Sequence, residues 1–232
     1  MHLKTLLAGL SLRSATADME TEITHISYDS RTTAPGDVFV AMTGFATDGH
    51  AYIGKAVAAG AAAVVCERPP EDSSVPYVLV ENSRRALAVM AANYYGHPAD
   101  SMTMVAVTGT NGKTTTTYLL KAILEQELGA KVGLIGTNQD LIGDEVVPTE
   151  RTTPESLELQ ELFARMRSAG CTHVVMEASS HALALDRVYG IHYAVGIFTN
   201  LTQDHLDFHK TMEAYCDAKA ILFRNCAVGV CN

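Results

Sequence analysis

The chain has 232 residues, of which 47% are apolar and 19% charged, a composition that suits one large or two modest domains and argues against wholesale disorder. Its formal net charge of -9 disfavours nucleic-acid binding, because phosphate contacts need a basic surface. No apolar run is long enough for membrane insertion. The five cysteines are odd in number and lack a C-x-x-C spacing, which favours reduced thiols and a cytoplasmic location.

Patterns in the first part of the chain predict a small α/β domain. Strands are expected at 37–41, 61–66 and 77–80, and helices at 52–59 and 83–95. Gly96 and Pro98 then interrupt the helical pattern. We therefore place a domain boundary here, with domains at 1–98 and 99–232.

Strands and helices alternate more regularly in the second part. The expected strands are 103–107, 132–135, 172–176, 194–198 and 227–231. The expected helices are 113–128, a helix opened by Pro154 and Glu155 and closed by Gly170, and 211–223. The first of these helices ends at Gly129 and should bury an apolar face made of Leu119, Leu120, Ile123, Leu124 and Leu128. This alternation predicts an α/β fold with a mostly parallel, doubly wound sheet, whose ligands gather at the carboxyl ends of the strands.

A phosphate-binding loop is the most informative motif. The sequence Gly109-Thr110-Asn111-Gly112-Lys113-Thr114-Thr115 stands between an apolar strand and a helical pattern. Glycines let backbone N–H groups approach phosphates, and the new helix directs its positive end at them. Lys113 would reach the terminal phosphates of ATP, and the Thr114 hydroxyl would ligate Mg²⁺. The loop is a shortened G-x-x-G-K-T variant, and the Lys-Thr-Thr in register disfavours the alternative of an ordinary strand-to-helix turn.

Polar and ionisable side chains follow two other strands at the same sheet edge. The strand at 172–176 is followed by Glu177, Ser179, Ser180 and His181, and the strand at 194–198 by Asn200, Asp204, His205 and Asp207. Glu177 would face the phosphate site as a metal ligand, the alternative being a solvated loop acid. For His205, a structural and a functional role are both open.

Two further features are ambiguous on their own. Lys219 lies on the predicted helix at 211–223, where a lysine is ordinarily solvated. Thr153 would cap the helix that follows it, with Pro154 at the first helical position. Neither residue is assigned to a site by its pattern alone.

Together these motifs resemble those of the Mur ligases, the ATP-dependent amide-forming enzymes of peptidoglycan precursor synthesis. Besides the phosphate loop, the resemblance is carried by TTPES at 152–156, MEASSHAL at 176–183, TNLTQDHLD at 199–207 and AK at 218–219. The strings DSR at 29–31, PGDVFVA at 35–41 and DGH at 48–50 match the UDP-binding domain of the family. The resemblance covers essentially the whole chain. It is to the members that add a third amino acid, diaminopimelate or L-lysine, to UDP-MurNAc-L-Ala-D-Glu.

The resemblance implies a mechanism and a set of site residues. In the family, a D-Glu carboxylate becomes an acyl phosphate at the expense of ATP, and an amine then displaces the phosphate. By similarity, the catalytic residues are Lys113, Glu150, Glu177, His205 and Lys219. Thr114 and Glu177 would hold one Mg²⁺, and His205 and Lys219 the other, with Lys219 carrying a carbamate. The substrate side would comprise Tyr28, Ser30, Phe45, Ala46, Thr47, Thr152, Thr153, Ser179 and Arg187.

The sequence also departs from the family pattern. Leu185 stands where some members carry a polar substrate contact. Nothing corresponds to the C-terminal domain that contacts adenine and recognises the incoming amino acid, so we expect an incomplete central domain and no ligation by this stretch alone. Two alternatives stay open. One is another ligase of the superfamily, such as a folylpolyglutamate synthase, and the other is a module that binds nucleotide without catalysis.

Overall fold

The computed structural model describes residues 1–44, 47–149 and 151–232, which form two compact units, Met1–Tyr94 and Tyr95–Asn232. Each unit is built around a sheet of its own. The division falls a few residues before the predicted boundary, at the end of the helix that Gly96 terminates. Three residues of the expected site, Phe45, Ala46 and Glu150, lie outside the described residues.

The first unit is a small α/β layer structure. Its strands are β1 (Leu12–Ala15), β2 (Ile26–Ser27), β3 (Val38–Val40), β4 (Ala63–Cys66) and β5 (Tyr77–Val80), and its helices are α1 (Leu3–Leu6), α2 (Ile53–Ala58) and α3 (Ser83–Tyr95). The sheet order is β1-β5-β4-β3-β2, and only β1 runs antiparallel to its neighbour. The three strands and two helices predicted here are confirmed with small shifts of their ends. The short elements α1, β1 and β2 were not predicted.

The second unit contains a seven-stranded sheet. Its strands are β6 (Thr103–Thr108), β7 (Val132–Ile135), β8 (Asp140–Ile142), β9 (Glu145–Val147), β10 (His173–Glu177), β11 (Tyr193–Phe198) and β12 (Cys226–Cys231). Its helices are α4 (Lys113–Leu128), α5 (Ser156–Ser168), α6 (Ser180–Ala184), α7 (Leu206–His209) and α8 (Met212–Arg224). The order is β12-β11-β6-β10-β7-β8-β9, with parallel pairing from β12 to β7 and antiparallel pairing beyond β7.

Helices cover both faces of this sheet. On one face, Met104 of β6 belongs to the core cluster that holds Phe163 and Met166 of α5. On the other, Val105 belongs to the cluster against which Leu120 and Leu124 of α4 pack. Because successive strand residues point to opposite faces, the two clusters lie on the two sides of the sheet. The predicted doubly wound α/β fold is therefore confirmed, with an antiparallel edge at β8 and β9 that the sequence did not reveal.

The predicted apolar face of α4 is wrong in part. Leu119, Ile123 and Leu128 are 59%, 55% and 60% exposed, whereas Thr117 and Lys121 are buried. The reason is the start of the helix, where the Thr114 hydroxyl contacts Glu177. Positions three and seven residues after Thr114 lie on the same stripe, so this contact turns Thr117 and Lys121 inward.

The predicted capping role of Thr153 is also wrong. The cap position of α5 is occupied by Glu155, and the Thr153 hydroxyl instead donates to the backbone oxygen of Glu177, at 2.9 Å. A tertiary hydrogen bond has thus replaced the local one, and it ties the start of α5 to the end of β10. The cap predicted for Gly129 is confirmed by its left-handed φ of 61°.

Candidate active site

The phosphate loop joins β6 to α4 and depends on two glycines. Gly109 and Gly112 have φ values of 146° and 84°, which favour glycine. A Cβ on Gly109 would lie only 1.9 Å from Thr199 Oγ1, so a larger residue does not fit. Asn200, after β11, accepts from the Asn111 backbone N–H through its side-chain oxygen at 2.9 Å. The loop is thereby held at the carboxyl end of two neighbouring strands.

Lys113 folds back over this loop. Its Nζ donates to the backbone oxygens of Gly109 and Thr110, at 2.9 and 3.0 Å. Burial lowers the pKa of Lys113, and the negative charges of Glu177 and Asp204 partly oppose that effect. The ammonium group is thus placed directly above the backbone that would receive phosphate.

Glu177 is fully buried at the end of β10 and lies beside the phosphate loop. Its Oε1 accepts from the Thr114 hydroxyl at 2.9 Å and from the Thr137 backbone N–H at 3.0 Å. Its Oε2 accepts from the Thr137 hydroxyl at 3.0 Å. Within the described ranges, no basic side chain pairs with this carboxylate at ion-pair distance. A buried carboxylate of this kind suits a bound cation, because an uncompensated buried charge is costly.

Lys219 of α8 and His205, at the start of α7, both lie near the ring of Tyr215. The Lys219 Nζ is 4.4 Å from the centre of the Tyr215 ring, and the His205 ring is 6.2 Å from it. Lys219 is 2% exposed, and burial followed by the charge of Lys113 lowers its pKa to about 8. His205 is exposed and has a left-handed φ of 51°. In the part of the chain that is described, no three His, Cys, Asp or Glu side chains converge as a ready-made metal cluster.

The segment before α5 meets the end of β10. Thr153 is buried, and Arg187 donates to its backbone oxygen at 3.1 Å while pairing with Glu155 at 2.8 Å. Ser179 caps α6 by accepting from the Ala182 N–H at 3.2 Å. Thr153, Ser179 and Arg187 are therefore brought together as expected, but the Thr153 hydroxyl is used within the protein.

The neighbours of the Thr152 hydroxyl determine whether it donates or accepts its hydrogen bond to Thr137. It lies 3.0 Å from Thr137 Oγ1, which itself donates to Glu177. Since a carboxylate only accepts and a hydroxyl has a single hydrogen, Thr152 must donate to Thr137. Its lone pairs therefore remain for another partner.

The expected uridine-side residues belong to the first unit. Tyr28 and Ser30 are half-buried in the turn after β2, where the Arg31 side chain pairs with Asp29 at 2.5 Å. The hydrogen bonds from Arg31 lower the pKa of Asp29. The backbone oxygen of Thr47 accepts from the Gly44 N–H at 2.8 Å.

Two residues of the site were missed from the sequence. Thr137 follows β7 and binds both oxygens of Glu177, and the rule that singled out polar residues after strands would have found it. Tyr215 hydrogen bonds through its hydroxyl to Thr110 Oγ1, at 3.1 Å, and so joins α8 to the phosphate loop. Tyr215 carries no local sequence signal, because its partner is 105 residues away.

Two models of known protein families match the chain, one for each of its two units. The model of the Mur ligase middle domain matches residues 107–232, and the model described as the Mur ligase family catalytic domain matches residues 22–95. In the described residues, no helix has the length and apolar character that crossing a membrane requires.

Individual proteins give the same result. The UDP-N-acetylmuramoyl-L-alanyl-D-glutamate--2,6-diaminopimelate ligase of Clostridium tetani is 49% identical, over 100% of this chain and 48% of its own length. The enzyme of the same name from Clostridium botulinum is 50% identical over the same shares. This chain thus spans about half the length of the curated relatives it matches.

Solved structures agree with the fold. A structure of a UDP-N-acetylmuramoyl-L-alanyl-D-glutamate--2,6-diaminopimelate ligase matches with a TM-score of 0.79 and 26% identity, over 100% of this chain and 47% of the other. The MurF ligase of Thermotoga maritima, solved with ADP, matches with a TM-score of 0.56 and 26% identity, over 89% and 45% of the two chains. Since a family model covers more than half of the sequence and the identity to relatives extends along all of it, this chain belongs to the Mur ligase family.

Proposed function

We propose that this chain carries the phosphate loop and the UDP-substrate side of a MurE-type ligase, which uses ATP to join 2,6-diaminopimelate to UDP-MurNAc-L-Ala-D-Glu. The observation that carries the proposal is the buried Glu177 carboxylate beside Thr114, at the first turn of the helix that follows the phosphate loop. The names of similar proteins favour diaminopimelate over L-lysine as the added amino acid. The cytoplasm is the corresponding location, because ATP and the UDP-linked precursor are found there.

The reaction begins with ATP on the phosphate loop. Backbone N–H groups of the loop and of the first turn of α4 bind the phosphates, and Lys113 exchanges its backbone partners for the terminal phosphates. A D-Glu carboxylate oxygen attacks the γ-phosphorus, and ADP leaves. The neutral amine of diaminopimelate then attacks the carbon of the acyl phosphate, the carbon–oxygen bond to phosphate breaks, the nitrogen loses a proton, and an amide bond remains.

The donor atoms at the loop fit Mg²⁺. The Thr114 hydroxyl lies next to the Glu177 carboxylate, 2.9 Å from its Oε1, and Mg²⁺ selects hard oxygen donors of these two kinds. We assign His205 and Lys219 to a second ion. Bound Mg²⁺ supplies positive charge that offsets the crowded triphosphate and carboxylate.

Lys219 would act as a carbamate. An ammonium group cannot ligate a cation, whereas the carbamate formed from a neutral amine and CO₂ has oxygen donors. Because burial lowers the Lys219 pKa to about 8, a much larger share of this amine is neutral near neutral pH than for an ordinary lysine, whose pKa is about 10.4. Burial beside Lys113 therefore prepares this amine for the modification.

We assign the remaining expected residues to the UDP-MurNAc-dipeptide. Ser179 and Thr152 offer polar atoms directly, and Thr153 and Arg187 shape the segment through backbone and ion-pair contacts. The other residues in this assignment are Tyr28, Ser30, Phe45, Ala46, Thr47 and, as an acidic catalytic position, Glu150.

Separate titrations test the proposal. Calorimetry with Mg²⁺ and a non-hydrolysable ATP analogue, and then with UDP-MurNAc-L-Ala-D-Glu, should show binding of both. Lys113→Ala should weaken the nucleotide by at least about tenfold, since it removes a charge-assisted phosphate contact, and should leave the UDP ligand unaffected. Lys131→Ala, which removes one positive charge elsewhere in the second unit, is the matched control.

Each alternative has its own outcome. Nucleotide binding without the UDP ligand would favour a module that lacks this catalysis. Binding of a folate in place of the UDP ligand would favour a folylpolyglutamate-type ligase. Binding of neither nucleotide nor the UDP ligand would contradict the proposed function.

A further inference from the structure

The turn after β7 is built against the Glu177 carboxylate. Thr137 holds both carboxylate oxygens, Oε1 through its backbone N–H and Oε2 through its hydroxyl, each at 3.0 Å. A Cβ on Gly136 would lie 2.6 Å from Oε1, so glycine is what allows this approach. The turn therefore contacts the charged group itself and not merely the strand that carries it.

The hydrogen bonds leave one acceptor position open. A carboxylate has about four lone-pair positions, two on each oxygen. Both positions of Oε1 are used, by the Thr114 hydroxyl and the Thr137 N–H. On Oε2 only the Thr137 hydroxyl is bound among the described residues, so one position on this oxygen remains.

We propose that Thr137 is a positioning residue that fixes the rotation of the Glu177 carboxylate, so that a divalent cation is ligated by Oε2 alone. This inference rests on the proposed function, which places Mg²⁺ at Glu177, and adds the residue that orients the ligand. Without the Thr137 hydroxyl, the carboxylate keeps its two bonds on Oε1 but loses the one that directs Oε2. Hydrogen bonds to a ligating group commonly change metal affinity by about 10- to 100-fold.

Manganese binding gives a readout that is independent of turnover. Electron paramagnetic resonance counts free Mn²⁺ as the wild-type chain is titrated in the presence of a non-hydrolysable ATP analogue. Thr137→Val should weaken Mn²⁺ binding by about tenfold. Thr137→Ser, which keeps the N–H and the hydroxyl, should restore it. Gly136→Ala should also weaken binding, because its Cβ displaces Oε1.

A matched control separates this effect from a general loss of packing. Thr117→Val also removes a Thr hydroxyl from the second unit, one that donates to the backbone oxygen of Thr114 at 2.9 Å. Its Mn²⁺ affinity should equal that of the wild type. Urea unfolding of every variant reports whether the fold is kept, and Gly136→Ala provides a second test should Thr137→Val fail to fold.

The outcomes distinguish this proposal from the proposed function. Wild-type affinity in Thr137→Val and Gly136→Ala would overturn the positioning role alone. Equal weakening in Thr137→Val and Thr137→Ser would also overturn it, because the hydroxyl would not be the cause. A wild-type chain that binds no Mn²⁺ would contradict the metal site of the proposed function and, with it, this inference.

Discussion

The ion pair between Arg187 and Glu155 offers a sharp test of how the site is held together. Its side chains are 15% and 8% exposed and lie 2.8 Å apart, whereas the Arg165–Glu145 pair of the same unit is 45% and 61% exposed at 3.1 Å. Removing one partner of a buried pair costs about 3–5 kcal/mol because the other charge stays buried. An exposed pair contributes at most about 1 kcal/mol.

Arg187→Met should therefore lower the free energy of unfolding by about 3 kcal/mol. We take the lower end of this range because Arg151, which is half-exposed and 3.3 Å from Glu155, still offsets part of the Glu155 charge. The double variant Glu155→Gln/Arg187→Met should recover most of the loss, since no buried carboxylate is left without a partner and Arg151 is half-exposed. Arg165→Met should change the free energy of unfolding by no more than about 1 kcal/mol.

Urea unfolding followed by far-ultraviolet circular dichroism measures these differences. With a slope of about 2 kcal/mol per molar urea, Arg187→Met should move the midpoint by roughly 1.5 M. A shift no larger than that of Arg165→Met would refute the reasoning, as would a double variant less stable than the single one.

Three further predictions concern the loop and the lysine. In the presence of ¹³C-bicarbonate, the carbamate signal of Lys219 should grow as pH rises from 7 to 9, because an amine with a pKa of about 8 loses its proton over that range. The signal should disappear in Lys219→Gln and remain in the control variant Lys131→Gln. A signal that persists in Lys219→Gln would contradict the assignment. Gly109→Ala should abolish nucleotide binding in calorimetry, and Thr199→Ala in the same chain should relieve the 1.9 Å clash but not the backbone strain. Tyr215→Phe should cost about 1 kcal/mol in urea unfolding through its lost bond to Thr110. Tyr193→Phe should cost less, because among the described residues the Tyr193 hydroxyl bonds only to the sulfur of Met176, at 3.6 Å; equal losses would count against the Tyr215 bond.

Local sequence patterns predicted an element correctly wherever its terminating residues and its hydrophobic periodicity indicate the same boundaries. The helices Ser83–Tyr95 and Lys113–Leu128 begin and end where glycine, proline and the phosphate loop predict. Glu177 was expected beside the loop because the ends of parallel strands meet at one sheet edge, and it lies 2.9 Å from Thr114. These results depend only on neighbours in the sequence and on the rule for parallel sheets.

Distant partners explain the predictions that were wrong. Thr153 was expected to cap α5, but its hydroxyl found the Glu177 backbone instead. The apolar stripe of α4 was expected to face the core, but the contact of Thr114 with Glu177 set the rotation of the helix. In each case a hydrogen bond across the fold outweighed a local preference.

The sequence by itself determined the phosphate loop, the alternation of the main strands and helices, and the residues that belong to the Mur ligase pattern. The tertiary structure alone decided how those residues are oriented: which face of α4 is buried, which oxygen of Glu177 stays open, and how strongly Lys219 is desolvated. The physical reason is the distance along the sequence over which the interactions act. Turns and helix ends are governed by residues a few positions apart, whereas desolvation and hydrogen-bond direction depend on groups such as Thr137 and Tyr215 that only folding brings to the site.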